Sequence, residues 1–397
     1  MNNENHILLI SYYFPPEING GAARAFANYH YLNKLGNRVT VLTTDRASSI
    51  DCVADVYRVK CWRNAGIIGL TKRILGYLLT KFGFYYGEDI YWCDEVVKAI
   101  KLLPEKIDIV YVSYPGADAL IIGMAAAKIL NAKLVTEFRD GFYFEPHVHM
   151  IKLQRWGAKK LEKKITIASE KIVCASKTIT EYFQDTYKQV SAYTVYNGYS
   201  ELDFIAYEPV INVIDAPVTI VHLGRLAGSG YRNIKPLVDA LNSLYENGVI
   251  KRNDFELLFL GALTYQELGQ LSNLLLSGVV KYRPSVTKEQ AVRIVTEYQY
   301  LLFYGVPDHK SVVSSKLLEY LRMGKPVLGI CKGNEAAEII ETTGVGEVVD
   351  FQIEEIKCIF TKAINGVLNY FPNSEQINFY NRETQVKKLS LIIEEKV

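Results

Sequence analysis

The sequence has no Cys-x-x-Cys pair and no Cys/His cluster at metal-ligand spacing, so neither a zinc site nor a dithiol redox centre can be read from it. The six cysteines, Cys52, Cys61, Cys93, Cys174, Cys331 and Cys358, are scattered and read as ordinary apolar residues of a reducing compartment. An excess of one charge is missing as well. Lys and Arg number 45 against 43 for Asp and Glu, a net +2, which gives no reason to expect nucleic acid or another polyanion as a partner. Any anion site must therefore be local. The longest uninterrupted apolar run, Ala119 to Ala127, is far too short to cross a bilayer, and the opening "MNNENH" carries no basic n-region, so a cytoplasmic protein is expected. No repeat of domain-forming period and no low-complexity tract stands out.

What is present is alternation. "HILLI", "RVTVLTT", "IDIVYVS", "AKLVTEF", "KIVCAS" and "AYTVYN" read as strands in the first half, with helical patterns between most of them. "VTIVHLG", "FELLFLG", "GVVKYRP", "YLLFYGV", "KPVLGIC" and "GVGEVVD" continue the plan in the second half. At 397 residues the chain is long enough for two cores, and alternating strand and helix in both halves predicts two doubly wound parallel sheets. The boundaries expected are a first domain over 1–198, an aperiodic linker with Pro209 and Pro217 over 199–217, a second domain over 218–370, and a helical tail over 371–397 packing back on the first domain.

Three stretches stand out chemically. "ISYYFPPEINGGAARAF", residues 10–26, joins a strand to a helix through a turn whose Gly20 and Gly21 leave backbone bare for close approach. It lacks G-x-G-x-x-G, so a dehydrogenase stays an outside reading even with Asp45 near the spacing of a ribose carboxylate. "VHLGRLAGSGYRNIKPL" places Arg225 and Arg232 in one loop at the carboxyl edge of the second sheet. Two guanidinium forks there suit a diphosphate. In "SVVSSKLLEYLRMGKPVL", Ser314 and Ser315 open a helix, where hydroxyls and free N–H groups favour an anion, and Glu319 one turn on could accept from ribose hydroxyls or be an ordinary helical glutamate.

Two further features are open to more than one reading. "TKRILGYLLTKFGFYYGEDIYW", residues 71–92, carries an apolar stripe of Leu75, Leu78, Leu79 and Phe82 flanked by Lys72, Arg73 and Lys81, which suits either an anionic membrane surface or a core-facing helix. Tyrosine is frequent, with 28 residues, and Tyr12, Tyr13, Tyr85, Tyr86, Tyr143 and Tyr304 suit either sugar rings or half-buried surface.

Together "PPEINGGAARAF", "GRL" with Arg232, "TEFRDGFYFEP", "CASKTITEYF", "VYNGYS", "SKLLEYLRMGKPVL" and "AAEIIETTGVGEVVD" resemble the family 4 group of retaining glycosyltransferases, of the bacterial surface-polysaccharide type. The resemblance covers nearly the whole chain. It implies a GT-B fold, two Rossmann-like domains facing each other across a cleft, and a nucleoside diphosphate sugar as donor. It implies transfer with retention to a glycan or lipid-linked glycan, with the leaving phosphate helping to deprotonate the acceptor. Gly20, Gly21, Arg225, Arg232, Ser314, Ser315, Lys316 and Glu319 would bind the donor, Arg24 and Arg139 would lie on the acceptor side, and Asp140, Arg225 and Arg232 would be catalytic. No cofactor or metal is implied, since no D-x-D stretch is placed to hold one and the arginines would take its role. The chain departs from the pattern at Ser311, where many members have a glutamate, and at Arg232, where lysine is common. A sugar-nucleotide epimerase of the same fold and a non-catalytic nucleotide-sugar-binding protein are the alternatives.

Overall fold

A computed structural model describes residues 5–17, 19–46, 55–84, 87, 89–103, 106–145, 150–205, 207, 217–226, 233–307 and 309–395. The chain divides into two compact units, residues 1–197 with 382–397, and residues 198–381.

In the first unit the order is β1 (His6–Ile10), α1 (Gly20–Lys34), β2 (Arg38–Thr44), β3 (Val56–Val59), α2 (Gly66–Lys81), α3 (Ile90–Ile100), β4 (Ile109–Tyr114), α4 (Ala117–Leu130), β5 (Lys133–Phe138), α5 (Lys152–Ala168), β6 (Lys171–Cys174), α6 (Lys177–Thr186) and β7 (Ser191–Thr194). In the second it is β8 (Val218–Leu223), α7 (Lys235–Glu246), β9 (Phe255–Leu260), α8 (Tyr265–Gln270), α9 (Ser272–Ser277), β10 (Val280–Arg283), α10 (Lys288–Thr296), β11 (Tyr300–Tyr304), α11 (Ser315–Met323), β12 (Val327–Ile330), α12 (Glu335–Thr343), β13 (Gly346–Val349), α13 (Ile353–Ile364) and α14 (Ser374–Phe379). A last helix, α15 (Arg382–Ile393), returns to the first unit.

Both sheets are parallel. The first has seven strands ordered β3-β2-β1-β4-β5-β6-β7 and the second six, ordered β10-β9-β8-β11-β12-β13. Helices cover both faces of the first sheet, which is why its strands read as unbroken apolar runs. Leu8 and Ile10 of β1 pack with Trp92, Val96 and Leu120 on one side. On the other, Ile7 and Leu9 pack with Leu32 of α1 and with Val386 and Leu389 of α15. The second sheet has its own core, with Leu257, Leu302 and Leu328 against Leu237 of α7 and Phe360 of α13.

The twelve strand runs of the sequence all form strands. The thirteenth, β3, is a short edge strand, "VYRV", with Tyr57 exposed and Val59 buried, too brief and too polar to declare itself. The described part of the segment expected as a linker is packed within the second unit. Tyr199 N donates to the Tyr380 carbonyl (3.0 Å), a 3-10 turn follows over Glu201–Phe204, and Glu201 pairs with Arg322 (2.8 Å).

Candidate functional site

Open parallel sheets bind ligands beyond the carboxyl ends of their strands, where the strand order reverses. In the second sheet that point lies between β8 and β11. Gly224 follows β8 with a φ of +77°, a conformation that favours glycine, and the Lys316 side chain packs over it, its Cε 2.6 Å from where a Cβ would stand. Lys316 Nζ donates to the Arg225 carbonyl (2.5 Å), leaving the Arg225 side chain exposed at the rim. Ser314 caps α11, its side chain accepting from Lys316 N (3.3 Å), and Ser315 follows at the first helical position. The hydroxyl oxygen of Tyr320 on the same helix accepts from the Leu223 N–H (2.9 Å), which ties α11 to the end of β8. Arg225, Ser314, Ser315 and Lys316 are thus brought to one edge: two cations beside a helix start, an arrangement suited to a phosphate. Arg232 lies outside the described residues.

Glu319 is at the same helix but already paired. Lys288 Nζ lies 2.9 Å from it and 2.5 Å from Asp203, a partnership that spacing alone could not reveal because it joins α10, α11 and the turn at Glu201–Phe204. Ser311 is buried.

In the first sheet the order reverses between β1 and β4. Asn19 caps α1, accepting from Ala22 N (2.8 Å), so Gly20 and Gly21 form the exposed first turn of that helix. Gly20 faces open space. A Cβ on Gly21 would lie 3.2 Å from both Arg139 Nη2 and the Tyr13 ring, so this glycine makes room for Arg139. Arg139 follows β5 and reaches back to the end of β4, its Nε donating to the Tyr114 carbonyl (3.2 Å). Asp140 comes next, half-buried.

Arg24 is not on a surface. It is 2% exposed and Glu137 0%, and the guanidinium donates to the Glu137 carboxylate (2.8 and 3.0 Å) and to the carbonyls of Tyr196 (2.6 Å) and Val195 (3.2 Å). The expected acceptor-side role is corrected to a positioning one: the fork fastens α1 to the sheet beneath the glycine turn. Burial works to raise the Glu137 pKa. Arg24 and Arg139, with hydrogen bonds from Ser113 and Tyr111, outweigh it and hold the carboxyl below its ordinary value. The signal was in the sequence, since a glutamate inside the apolar strand "KLVTEF" requires a buried partner.

Glu162 was also not singled out by sequence. Its carboxylate accepts from Tyr182 (2.6 Å), Tyr187 (3.0 Å) and the N–H of Tyr143 (3.0 Å), which pins the turn after Asp140. Burial raises its pKa, only partly offset by these bonds.

Several other expectations resolve. Tyr12 and Tyr304 are core residues with satisfied hydroxyls, donating to Asp89 (3.1 Å) and to the Asn233 carbonyl (2.6 Å). Tyr85 and Tyr86 lie outside the described residues. Asp45 accepts from Cys61 N (2.8 Å) and so braces the loop after β2. A cavity of about 480 Å³ in the first unit is lined by Asn5, Lys106, Asp108, Lys133 and Glu395 at the amino ends of the strands, the edge opposite the candidate site. Among the described residues no group of three or more His, Cys, Asp or Glu side chains could hold a metal ion, and no helix is long and apolar enough to cross a membrane.

No protein-family model matches the chain, and no curated protein sequence does. Solved structures match over nearly its whole length. Sucrose-phosphate synthase from Thermosynechococcus elongatus is 14% identical with a TM-score of 0.68, covering 99% of each chain. The lipopolysaccharide outer core galactosyltransferase WaaB in its apo form is 14% identical with a TM-score of 0.63, covering 99% of this chain and all (100%) of the other. HepE of Anabaena in complex with UDP is 15% identical with a TM-score of 0.63, over the same 99% and 100%. A UDP-N-acetylglucosamine 2-epimerase structure from Listeria monocytogenes also aligns, at 12% identity and a TM-score of 0.53, covering 99% of this chain and 96% of that one. The chain shares the fold of these structures, the GT-B architecture of two parallel-sheet Rossmann-like units.

Proposed function

We propose that the protein is a retaining glycosyltransferase of the hexosyltransferase type, moving a sugar from a nucleoside diphosphate sugar to a glycan or lipid-linked glycan in bacterial surface-polysaccharide synthesis. The observation that carries this reading is the meeting of Arg225, Lys316, Ser314 and the α11 start at the reversal point of the second sheet. Negative charge grows on the diphosphate as the glycosidic bond breaks, and two cations beside a helix N-terminus stabilise that charge. Arg232 adds a second fork, Glu319 accepts from the ribose, and Gly20 and Gly21 admit the donor. Arg139 and Asp140 act at the reacting sugar and acceptor. No metal or other cofactor takes part. The relatives WaaB, a galactosyltransferase, and HepE, which binds UDP, support the reaction class and the donor. The protein works in the cytoplasm, in peripheral contact with the inner face of the cell membrane through residues 71–92.

A nucleotide-sugar epimerase is the second reading, favoured by the match to the Listeria structure. The test is a thermal-shift panel of UDP, GDP and other nucleotide sugars, since a ligand of the folded state alone raises Tm. It is followed by incubation of the labelled donor that binds. Conversion of the sugar without acceptor makes the protein an epimerase, turnover only with a glycan acceptor makes it a transferase, and no shift with any nucleotide sugar overturns both.

A further inference from the structure

Helix α2 is built inside out. Its buried residues are Gly69 and Gly76, and a Cβ on Gly69 would lie 2.1 Å from the Trp62 carbonyl oxygen, so the helix lies on the domain through its glycines. Its large apolar side chains point the other way: Ile67 is 80% exposed, Tyr77 66% and Leu78 45%. A helix stripe that should be covered stands in water, and contiguous apolar patches of this kind mark interaction surfaces. Of the stretch 71–92, the stripe residues Leu75, Leu78 and Phe82 are exposed, while Trp92 at its end is a core residue.

The patch continues on α5. Gln154 near the start of α5 donates to the Thr80 carbonyl near the end of α2 (3.3 Å), which joins the two helices. Beyond that link α5 exposes Leu153, Trp156 (59%) and Ile167. Trp156, Lys160, Lys163 and Ile167 follow one another at helical spacing on its outer face. The charge is one-sided. Over its seventeen residues α5 carries six basic side chains, Lys152, Arg155, Lys159, Lys160, Lys163 and Lys164, and one acidic side chain, Glu162, which is buried. Helix α2 has three basic residues and no acidic one, but Lys72 pairs with Asp94 of α3 and Arg73 lies over the Trp62 ring (4.1 Å), so most of the basic charge offered outward comes from α5.

We infer that α2 and the outer face of α5 form one platform that docks on an anionic lipid bilayer, α2 inserting its apolar side chains at the headgroup boundary and α5 supplying Trp156 and the basic contacts. Apolar area lowered into the interface and lysines at its rim are the two terms that hold a protein on such a surface. Charge complementarity selects the partner: a patch this basic suits anionic headgroups and disfavours a second copy of itself, which would bring like charges together. The proposal deepens the peripheral contact put forward for residues 71–92 and rests on that part of the reading. It adds α5 and is independent of the transferase chemistry.

The test is flotation of the full chain with vesicles of phosphatidylcholine alone and of phosphatidylcholine with phosphatidylglycerol, at low and high salt. Binding is expected only with phosphatidylglycerol, weakened by salt, with a blue shift of tryptophan emission that Trp156→Phe removes. Reversal of three α5 charges, Lys159→Glu, Lys160→Glu and Lys163→Glu, and separately Ile74→Ser with Leu78→Ser on α2, should each lower partitioning about tenfold or more. Unchanged Tm, and an unchanged shift with whichever nucleotide sugar the panel identifies, show that the variants are folded and keep the donor question separate. Absence of flotation overturns the proposal. Full binding by the α5 variant overturns the platform and confines the contact to α2. Equal binding to neutral vesicles, or self-association that removes lipid binding, overturns the anionic bilayer as the occupant.

Discussion

The two units share a plan and differ in where their charges stand at the reversal point. In the first, the strongest pair is sealed inside: Arg24 and Glu137 lie beneath the glycine turn, each nearly without exposure. In the second, the cations are displayed: Arg225 is exposed, and Lys288 shares Glu319 and Asp203 at the surface. Two sheets with the same central strand order thus use charge for different ends. Buried charge must be satisfied within the fold, so it fixes geometry and has no capacity left for a ligand. Rim charge costs little to keep solvated and can be handed to an incoming anion.

The comparison is broken most directly by deleting one member of each pair. Glu137→Ala leaves the Arg24 guanidinium buried without its partner and should cost about 3–5 kcal/mol of stability. Glu319→Ala removes a part-exposed pair and should cost under about 1 kcal/mol. All three tryptophans, Trp62, Trp92 and Trp156, lie in the first unit, so denaturant unfolding followed by fluorescence reads the first variant, and circular dichroism reads the second. Equal losses would dissolve the distinction.

The displayed cations should matter to chemistry instead. Arg225→Ala should lower turnover by roughly 10²-fold, the effect of removing one preorganised donor, with Tm unchanged. A fall in Tm with normal turnover would make Arg225 another structural arginine. A smaller effect is expected at Glu319. Glu319→Gln should weaken donor binding by about 1.5–3 kcal/mol, the loss of a hydrogen bond to a charged group, measured by calorimetry. The 2′-deoxyribose donor should then bind variant and parent alike. If the parent binds the normal donor no better than the deoxy analogue, the carboxylate serves only Lys288.

The last test lies within the first unit, whose two buried carboxyls should respond to pH in opposite senses. Glu137 is held low, so the stability it contributes is present above the ordinary carboxylate range and is lost as pH falls through its lowered value. Glu162 is raised, so the unfolded chain ionises first, and stability declines as pH climbs from the ordinary range through the raised value. Each pH unit in that window contributes at most about 1.4 kcal/mol. Melting curves against pH should show the decline in the parent and not in Glu162→Gln.

Legibility followed the range of the interaction. The strands were readable because a sheet covered on both faces demands unbroken apolar runs, and β3 escaped because an edge strand of four residues makes no such demand. At the site, the glycines, Ser314 and its helix were readable because turn and cap chemistry is local. Lys288 was not, because its partners Asp203 and Glu319 lie far away in sequence on other elements. Arg24 was misplaced for the same reason: an arginine one turn after a glycine-rich start looks exposed until Glu137 closes over it.

By itself, then, the sequence determined the alternation of strand and helix, the two-sheet plan and the positions of the bare and capped turns, since each depends on periodicity or on the backbone freedom of a few adjacent residues. Which charges are sealed and which are offered was decided only by tertiary structure. The same holds for the outward apolar face of α2: a stripe of leucines states that a face must be covered, but Gly69 and Gly76 chose which side of the helix meets the protein, and that choice is made by what packs against it.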